Sequence, residues 1–116
     1  MGQQYVLLTL EINHAPVKAI LDTGAWISYL ASSYLTDVES IGTIKDYNPI
    51  LGDIHTTKHM VTLSCDGHTQ NISVAKMPSV LEQMMNMMGI EMILGLETIK
   101  YDKLCLNFVK GCLIFK

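Results

Sequence analysis

An all-β domain with one or two short helices is the fold class that this 116-residue sequence predicts. Three observations carry that expectation. Short runs rich in Val, Ile, Leu and Thr recur along the chain, cut at intervals by turn signals such as Asn13-His14-Ala15-Pro16 and Asp66-Gly67. Helical signals are few and short. One apolar run, Ala19-Ile20-Leu21, ends abruptly in Asp22-Thr23-Gly24-Ala25. A carboxylate directly after apolar residues is costly to bury without partners. Chemistry at the mouth of a β-structure is one reason to place it there, beside a hydroxyl and a glycine that lets another backbone come close. An ordinary turn closing a strand is the plain alternative, since Asp and Gly are common turn residues.

Taken in order, residues 4–12 are rich in β-formers and read as the first strand. Residues 13–16 are the turn, with Pro16 tolerable at the entry of the next strand. Residues 17–21 return antiparallel and deliver Asp22 to a loop. Residues 26–34, apolar with Ser28, Ser32 and Ser33 interspersed as exposed hydroxyls, predict a strand and a short turn, and residues 37–42 a connection. Two arms over residues 44–61 predict a hairpin with its tip at Gly52-Asp53. A second hairpin, 61–65 with 69–75, turns at Asp66-Gly67. Ser79-Val80-Leu81-Glu82 has the form of a capping box, followed by Met84, Met85 and Met88 and closed by Gly89, so a short amphipathic helix is expected. Its methionines suit core or interface packing, or an adaptable interaction surface. Residues 90–94 read as a strand, 96–103 as a short helix, and 104–109 with 112–115 as closing strands joined at Lys110-Gly111.

A chain of this length reads as one domain, residues 1–116. Hydrophobic residues make up 49% and charged ones only 16%, which leaves apolar surface seeking a partner and favours an oligomer. A net charge of −3 with scattered lysines argues against a nucleic-acid partner. Cys65, Cys105 and Cys112 are odd in number and lack zinc-site spacing, so they read as reduced thiols of a cytosolic protein. His55 and His59 have helical metal spacing but sit in a strand pattern, so no metal site is expected. Met1-Gly2-Gln3-Gln4 carries no basic signal region, and no run is long enough to span a membrane. Asn71-Ile72-Ser73 matches a glycosylation acceptor, without meaning inside a cytosolic strand.

Ile20-Leu21-Asp22-Thr23-Gly24-Ala25 early in the chain, then Met92-Ile93-Leu94-Gly95, a short helical stretch and a terminal hairpin, resembles the retroviral-type aspartic proteases, the retropepsins. The terminal segment, 89–116, looks most like the proteases of plant pararetroviruses. The resemblance implies a small closed barrel-like lobe and an aspartic endopeptidase that cleaves viral polyproteins in the host cell cytoplasm, with no cofactor. It implies catalytic Asp22, Thr23 bonding across a dyad, and Gly24 allowing close backbone approach. A chain with one Asp-Thr-Gly is too short for two lobes, so a homodimer must supply the second Asp22. The pair would then share one proton. Residues 47–54 would be a mobile flap, and Ala25, Trp26, Ile27, Ile50, Leu51, Gly52 and Ile54 would touch the substrate. Many retroviral members pair an acidic residue four places after the aspartate with an arginine after Ile-Gly; here Trp26 and Leu96 stand there, an apolar contact replacing an ion pair. Two rival readings keep the same fold: a cellular retropepsin-like domain of a ubiquitin-linked shuttle protein, and a non-catalytic dimerisation or peptide-binding module.

Overall fold

One sheet that closes on itself carries the structure, a computed structural model describing residues 6–22, 24–65, 67–100 and 113–114. Its strands are β1 (Val6–Ile12), β2 (Ala15–Leu21), β3 (Tyr29–Leu30), β4 (Gly42–Asn48), β5 (Gly52–Cys65), β6 (His68–Lys76), β7 (Met92–Leu94) and β8 (Leu113–Ile114). The helices are α1 (Ser79–Met87) and α2 (Leu96–Lys100), with a 3-10 turn at Ser32–Tyr34. The strand order is β4-β5-β6-β3-β7-β2-β1-β8, and β1 meets β5 again through Glu11↔Ser64 and Ile12↔Leu63. That second meeting closes β5, β6, β3, β7, β2 and β1 into a barrel and leaves β4 and β8 outside the ring. The all-β expectation with short helices holds. No helix among the described residues is long and apolar enough to cross a membrane.

Alternation builds the interior. On β1, Leu8, Leu10 and Ile12 are buried while Thr9 and Glu11 face water, the period of a half-buried strand. These residues join Val17, Ala19, Val61, Leu63, Ile72, Val74, Met92 and Leu94 in the barrel core. A second apolar cluster gathers Ile20, Tyr29, Ile54, Met77, Leu81, Ile90 and Ile93. It is this second cluster that faces the Asp22 loop, because Ala25 and Ile27 pack against it.

Turn chemistry sets the hairpins. Asn13 and His14 both take positive φ, 49° and 72°, between the paired Ile12 and Ala15, the twist a two-residue hairpin needs. Asn13 is pinned to β5 by exchange of hydrogen bonds with Thr62. The chain reverses at Gly67, φ 81°, between paired Cys65 and His68; Asp66 lies outside the described residues. The β4–β5 tip lies elsewhere than expected. Asn48 pairs with Gly52, so the turn is Pro49-Ile50-Leu51 and not Gly52-Asp53. Pro49 has no N–H to give a ladder, which ends β4 before the glycine is reached.

Two further expectations need correction. Only Tyr29–Leu30 of residues 26–34 forms a strand, since the chain before it arches over the end of β7. Ser79 makes no capping box; the first turn has no side-chain cap, and the Glu82 carboxylate instead accepts the Ser32 N–H and hydroxyl. Of the helix methionines Met85 packs inward, whereas Met84, Met87 and Met88 are exposed on this chain. Gly89 closes the helix as expected, at φ 72°. Leu113–Ile114 pairs antiparallel with β1 of its own chain, while expected strand 104–109 and turn 110–111 lie outside the described residues.

Glu91 ties the approach to β7 on both sides. Its N–H donates to Lys18 O, its Oε1 accepts the Lys18 N–H, and its carbonyl accepts the Ala31 N–H. The Tyr34 hydroxyl donates to Glu91 Oε2. Burial, and then the adjoining Glu91 carboxylate, push the Tyr34 phenol up to about 12 from its ordinary 10. The folded chain therefore holds this proton more tightly than the unfolded chain does. Its contribution is complete below pH 10 and is lost as pH rises toward 12. Urea midpoints measured across this window should fall less steeply for Tyr34→Phe than for wild type; parallel curves would show that Tyr34 makes no such contribution.

Candidate active site

Asp22 stands at the carboxyl end of β2, where β2 runs parallel to β7 in the register Ala19↔Met92, Ile20↔Ile93, Leu21↔Leu94. The Asp22 N–H donates to Leu94 O at 3.0 Å, extending that ladder by one residue. The chain then turns. Asp22 Oδ1 accepts the Gly24 N–H at 2.9 Å, and Asp22 O accepts the Ala25 N–H at 3.1 Å. A Cβ on Gly24 would lie 3.2 Å from Asp22 Oδ1, tighter than ordinary contact. The carboxylate is half-buried and its orientation is set by its own turn. Thr23 lies outside the described residues.

Beyond the turn the loop crosses directly over Gly95. A Cβ there would sit 2.6 Å from Ile27 O and 2.7 Å from Trp26 O, so only glycine fits. The crossing is also bonded. Leu96 N–H donates to Ala25 O at 2.9 Å, and Glu97 N–H to Trp26 O at 2.8 Å. The first amides of α2, which a helix leaves without partners of its own, thus hold the Asp22 loop. Position 26 takes part in the crossing through its carbonyl and position 96 through its N–H, each bonded to a neighbour of the other.

Behind the loop is a buried hydroxyl pair. Ser28 Oγ accepts the Gly95 N–H at 2.9 Å and shares a hydrogen bond with Thr98 Oγ1, both side chains being 1% exposed. Ser28 is thus not the exposed hydroxyl that the sequence suggests. Its carbonyl also accepts the Ala75 N–H, which ties the loop to β6.

The β4–β5 hairpin packs from the other side. Leu51 and Ile54 join the cluster that holds Ala25 and Ile27, so four of the expected substrate-facing residues come together. Trp26 and Ile50 do not; they are 46% and 82% exposed. Gly52, at φ 80°, closes the turn. The Tyr29 hydroxyl donates to Asp46 Oδ2 and so fastens β4 to the floor. Burial first, then Asp46, raise the Tyr29 phenol well above its ordinary value, which keeps it a donor. A cavity of about 210 Å³ opens between the hairpin and the start of α1, lined by Leu51, Asp53, Ile54, His55, Pro78 and Val80.

His59 is buried with both ring nitrogens engaged, by Thr57 Oγ1 and Glu39 O, while His55 is exposed. Among the described residues no three His, Cys, Asp or Glu side chains are grouped to hold a metal. Sequence reasoning missed Ser28 with Thr98, Tyr29 with Asp46, and the steric role of Gly95. For Ser28 the available signal was its place inside the apolar stretch Trp26-Ile27-Ser28-Tyr29-Leu30.

No family model and no curated protein sequence matches this chain. Solved structures do. The chain aligns to the EIAV protease complexed with the inhibitor HBY-793 at 18% identity and a TM-score of 0.63, over 91% of this chain and 94% of that one. The fold is that of a retropepsin. A foamy viral protease-reverse transcriptase in complex with RNA/DNA hybrid matches at 15% identity and TM-score 0.63, over 84% of this chain but only 12% of that longer polypeptide. The retroviral protease-like domain of Ddi1 from Leishmania major matches at 15% identity and TM-score 0.55, over 99% of this chain and 90% of that one. Retropepsin architecture therefore spans viral and cellular proteins, and at these identities the likeness concerns the fold.

Two substitutions test the crossing. Gly95→Ala forces backbone apart where a Cβ has no room, and should abolish cooperative folding or displace the loop. Ser28→Ala strands the buried Gly95 N–H and the Thr98 hydroxyl, and should cost about 1–3 kcal/mol by urea denaturation. A Gly95→Ala chain as stable as wild type would refute the close approach.

Proposed function

We propose that this chain is an aspartic endopeptidase of the retropepsin type, active as a homodimer in which each copy supplies one Asp22. The placement of Asp22 carries this reading: a half-buried carboxylate at the end of a parallel strand pair, oriented by Gly24 N–H, with the loop beyond it and the β4–β5 hairpin packed on one apolar cluster. On this reading the two Asp22 carboxylates share one proton. The ionised member takes a proton from a water as that water attacks the scissile carbonyl carbon. The protonated member donates to the carbonyl oxygen, and the tetrahedral intermediate collapses with a proton passing to the departing amine.

Substrate would lie extended between hairpin and floor. β4 ends the sheet order and offers an edge to which a peptide can add as a strand. Ala25, Ile27, Leu51 and Ile54 form an apolar wall, which favours apolar residues beside the cut; Trp26, Ile50 and Gly52 complete the proposed contacts. Thr23 would bond across the twofold axis. The resemblance of residues 89–116 supports a pararetroviral polyprotein as substrate and the host cytoplasm as the place of action. The Ddi1 domain, matching over 99% of this chain, favours a second reading as a cellular retropepsin-like domain. Sequence flanking the domain in its full precursor separates the two.

Asp22→Asn is nearly isosteric and removes the acid–base pair. It should lower peptide cleavage by about 10³-fold or more with circular dichroism unchanged. Mixed with wild type it should poison activity, because mixed dimers carry one carboxylate. Specific activity should rise with protein concentration, and the pH–rate profile should be a bell on the acid side. Turnover retained by folded Asp22→Asn protein would falsify the aspartic protease reading.

A further inference from the structure

One side chain holds the tip of the β4–β5 hairpin. Asn48 Oδ1 accepts the Ile50 N–H at 2.8 Å and the Leu51 N–H at 3.0 Å. Both donors lie in the turn between the strands, where the ladder supplies no carbonyl for them. Pro49, between them and Asn48, has a fixed φ and no N–H. Gly52, at φ 80° and paired to Asn48, closes the turn. The result is a tip with two bulky residues and a set shape. Ile50 points outward, 82% exposed, and Leu51 points inward to the cluster that holds Ala25 and Ile27.

We propose that Asn48 is a positioning residue for substrate binding. Its carbonyl oxygen fixes the hairpin tip in the turn that seats Leu51 on the buried apolar cluster beneath the hairpin, beside the cavity that Leu51, Ile54, Pro78 and Val80 line. This rests on the protease reading above. Ordering a loop at the moment of binding weakens affinity, and a loop already ordered avoids that loss. In this chain a side-chain acceptor supplies the order. The chemistry requires only an oxygen acceptor two and three residues before the donors, which is the property that makes Asn and Asp turn residues. The same two bonds hold Leu51 toward the apolar cluster and Ile50 toward solvent, so the acceptor also sets how the two bulky residues of the tip are presented. Losing these bonds acts on KM and leaves kcat nearly untouched, since they order the hairpin and carry no acid, base or nucleophile.

Amide hydrogen exchange by NMR, together with steady-state cleavage of an apolar decapeptide, tests this on the full-length protein at dimer-saturating concentration. In wild type the Ile50 and Leu51 amides should exchange slowly relative to the Asn48→Ala variant. Asn48→Ala should raise KM roughly fivefold to twentyfold, the weight of one or two hydrogen bonds, with kcat within about twofold. Asn48→Asp keeps an acceptor oxygen and should restore both slow exchange and KM. Equal exchange in wild type and Asn48→Ala overturns the proposal, as does a loss confined to kcat or a failure of Asn48→Asp to restore KM. Exchange is read without turnover. Slow Ile50 and Leu51 amides in a wild-type protein that cleaves nothing would therefore remove the protease reading, and with it the role in substrate binding, while leaving the turn itself intact.

Discussion

Everything around Asp22 depends on two pieces of backbone passing closer than a methyl group allows. The carbonyls of Trp26 and Ile27 occupy the space a side chain on residue 95 would need. The crossing lets the Asp22 loop lie across the end of β7 and lets the first amides of α2 reach the loop carbonyls. Without it β2 and β3 could not flank β7 with the connecting loop packed down between them. The parallel pairing of β2 with β7 and the antiparallel pairing of β3 with β7 are two consequences of one close approach.

Rigidity spreads outward from that crossing through polar pairs placed where apolar packing alone would leave freedom. Ser28 Oγ satisfies the Gly95 amide inside the protein and is itself bonded to Thr98 Oγ1, and buried hydrogen bonds of this kind favour one arrangement. Tyr29, next in sequence, reaches outward to Asp46 on β4. Two adjacent residues thus fix the loop to its floor and the hairpin to the loop. Glu91 does the equivalent on the other side of β7, joining β2, the segment before the 3-10 turn, and Tyr34. A position reached from several directions can hold a carboxylate at a set angle with little reorganisation.

How much of this the sequence disclosed depends on the range of the forces involved. Hairpins governed by neighbours were legible: the second hairpin reverses at Gly67 between Cys65 and His68, and β1 shows its alternation plainly. The β4–β5 turn was misplaced because Gly52-Asp53 is a stronger generic signal than Pro49, yet a missing N–H ends a ladder whichever residues come after it. The strand over 26–34 was overlong because nothing local reveals that residue 95 will pass beneath it. Glu82 had two possible uses, its own helix start or Ser32 fifty residues away in sequence, and tertiary contact chose the second. Asp22-Thr23-Gly24 was legible as a pattern, while Ser28 and Thr98, which bond each other and anchor Gly95 beneath the loop, look like any other hydroxyls until the chain is folded.

A surface this short of charge has a bearing on the active unit. Charged residues are 16% of the sequence, and Trp26 stands exposed on the loop after Asp22, Tyr47 and Ile50 on the β4–β5 hairpin. Apolar groups left open around a carboxylate are ill suited to a site that works alone, because they favour association and give the carboxylate no counter-charge. On the protease reading they would suit a site completed by a second copy, in which the same residues would meet across a twofold axis and exclude water from a proton shared by the two carboxylates. Trp26 and Leu96 in place of an ion pair fit that picture. Trp26 lies at the crossing with its carbonyl held by Glu97 N–H and its ring partly in solvent. An aromatic ring there can contribute to an interface through burial, with no charge to desolvate. On the protease reading, dimer strength in this chain would then rest on apolar area and depend little on salt.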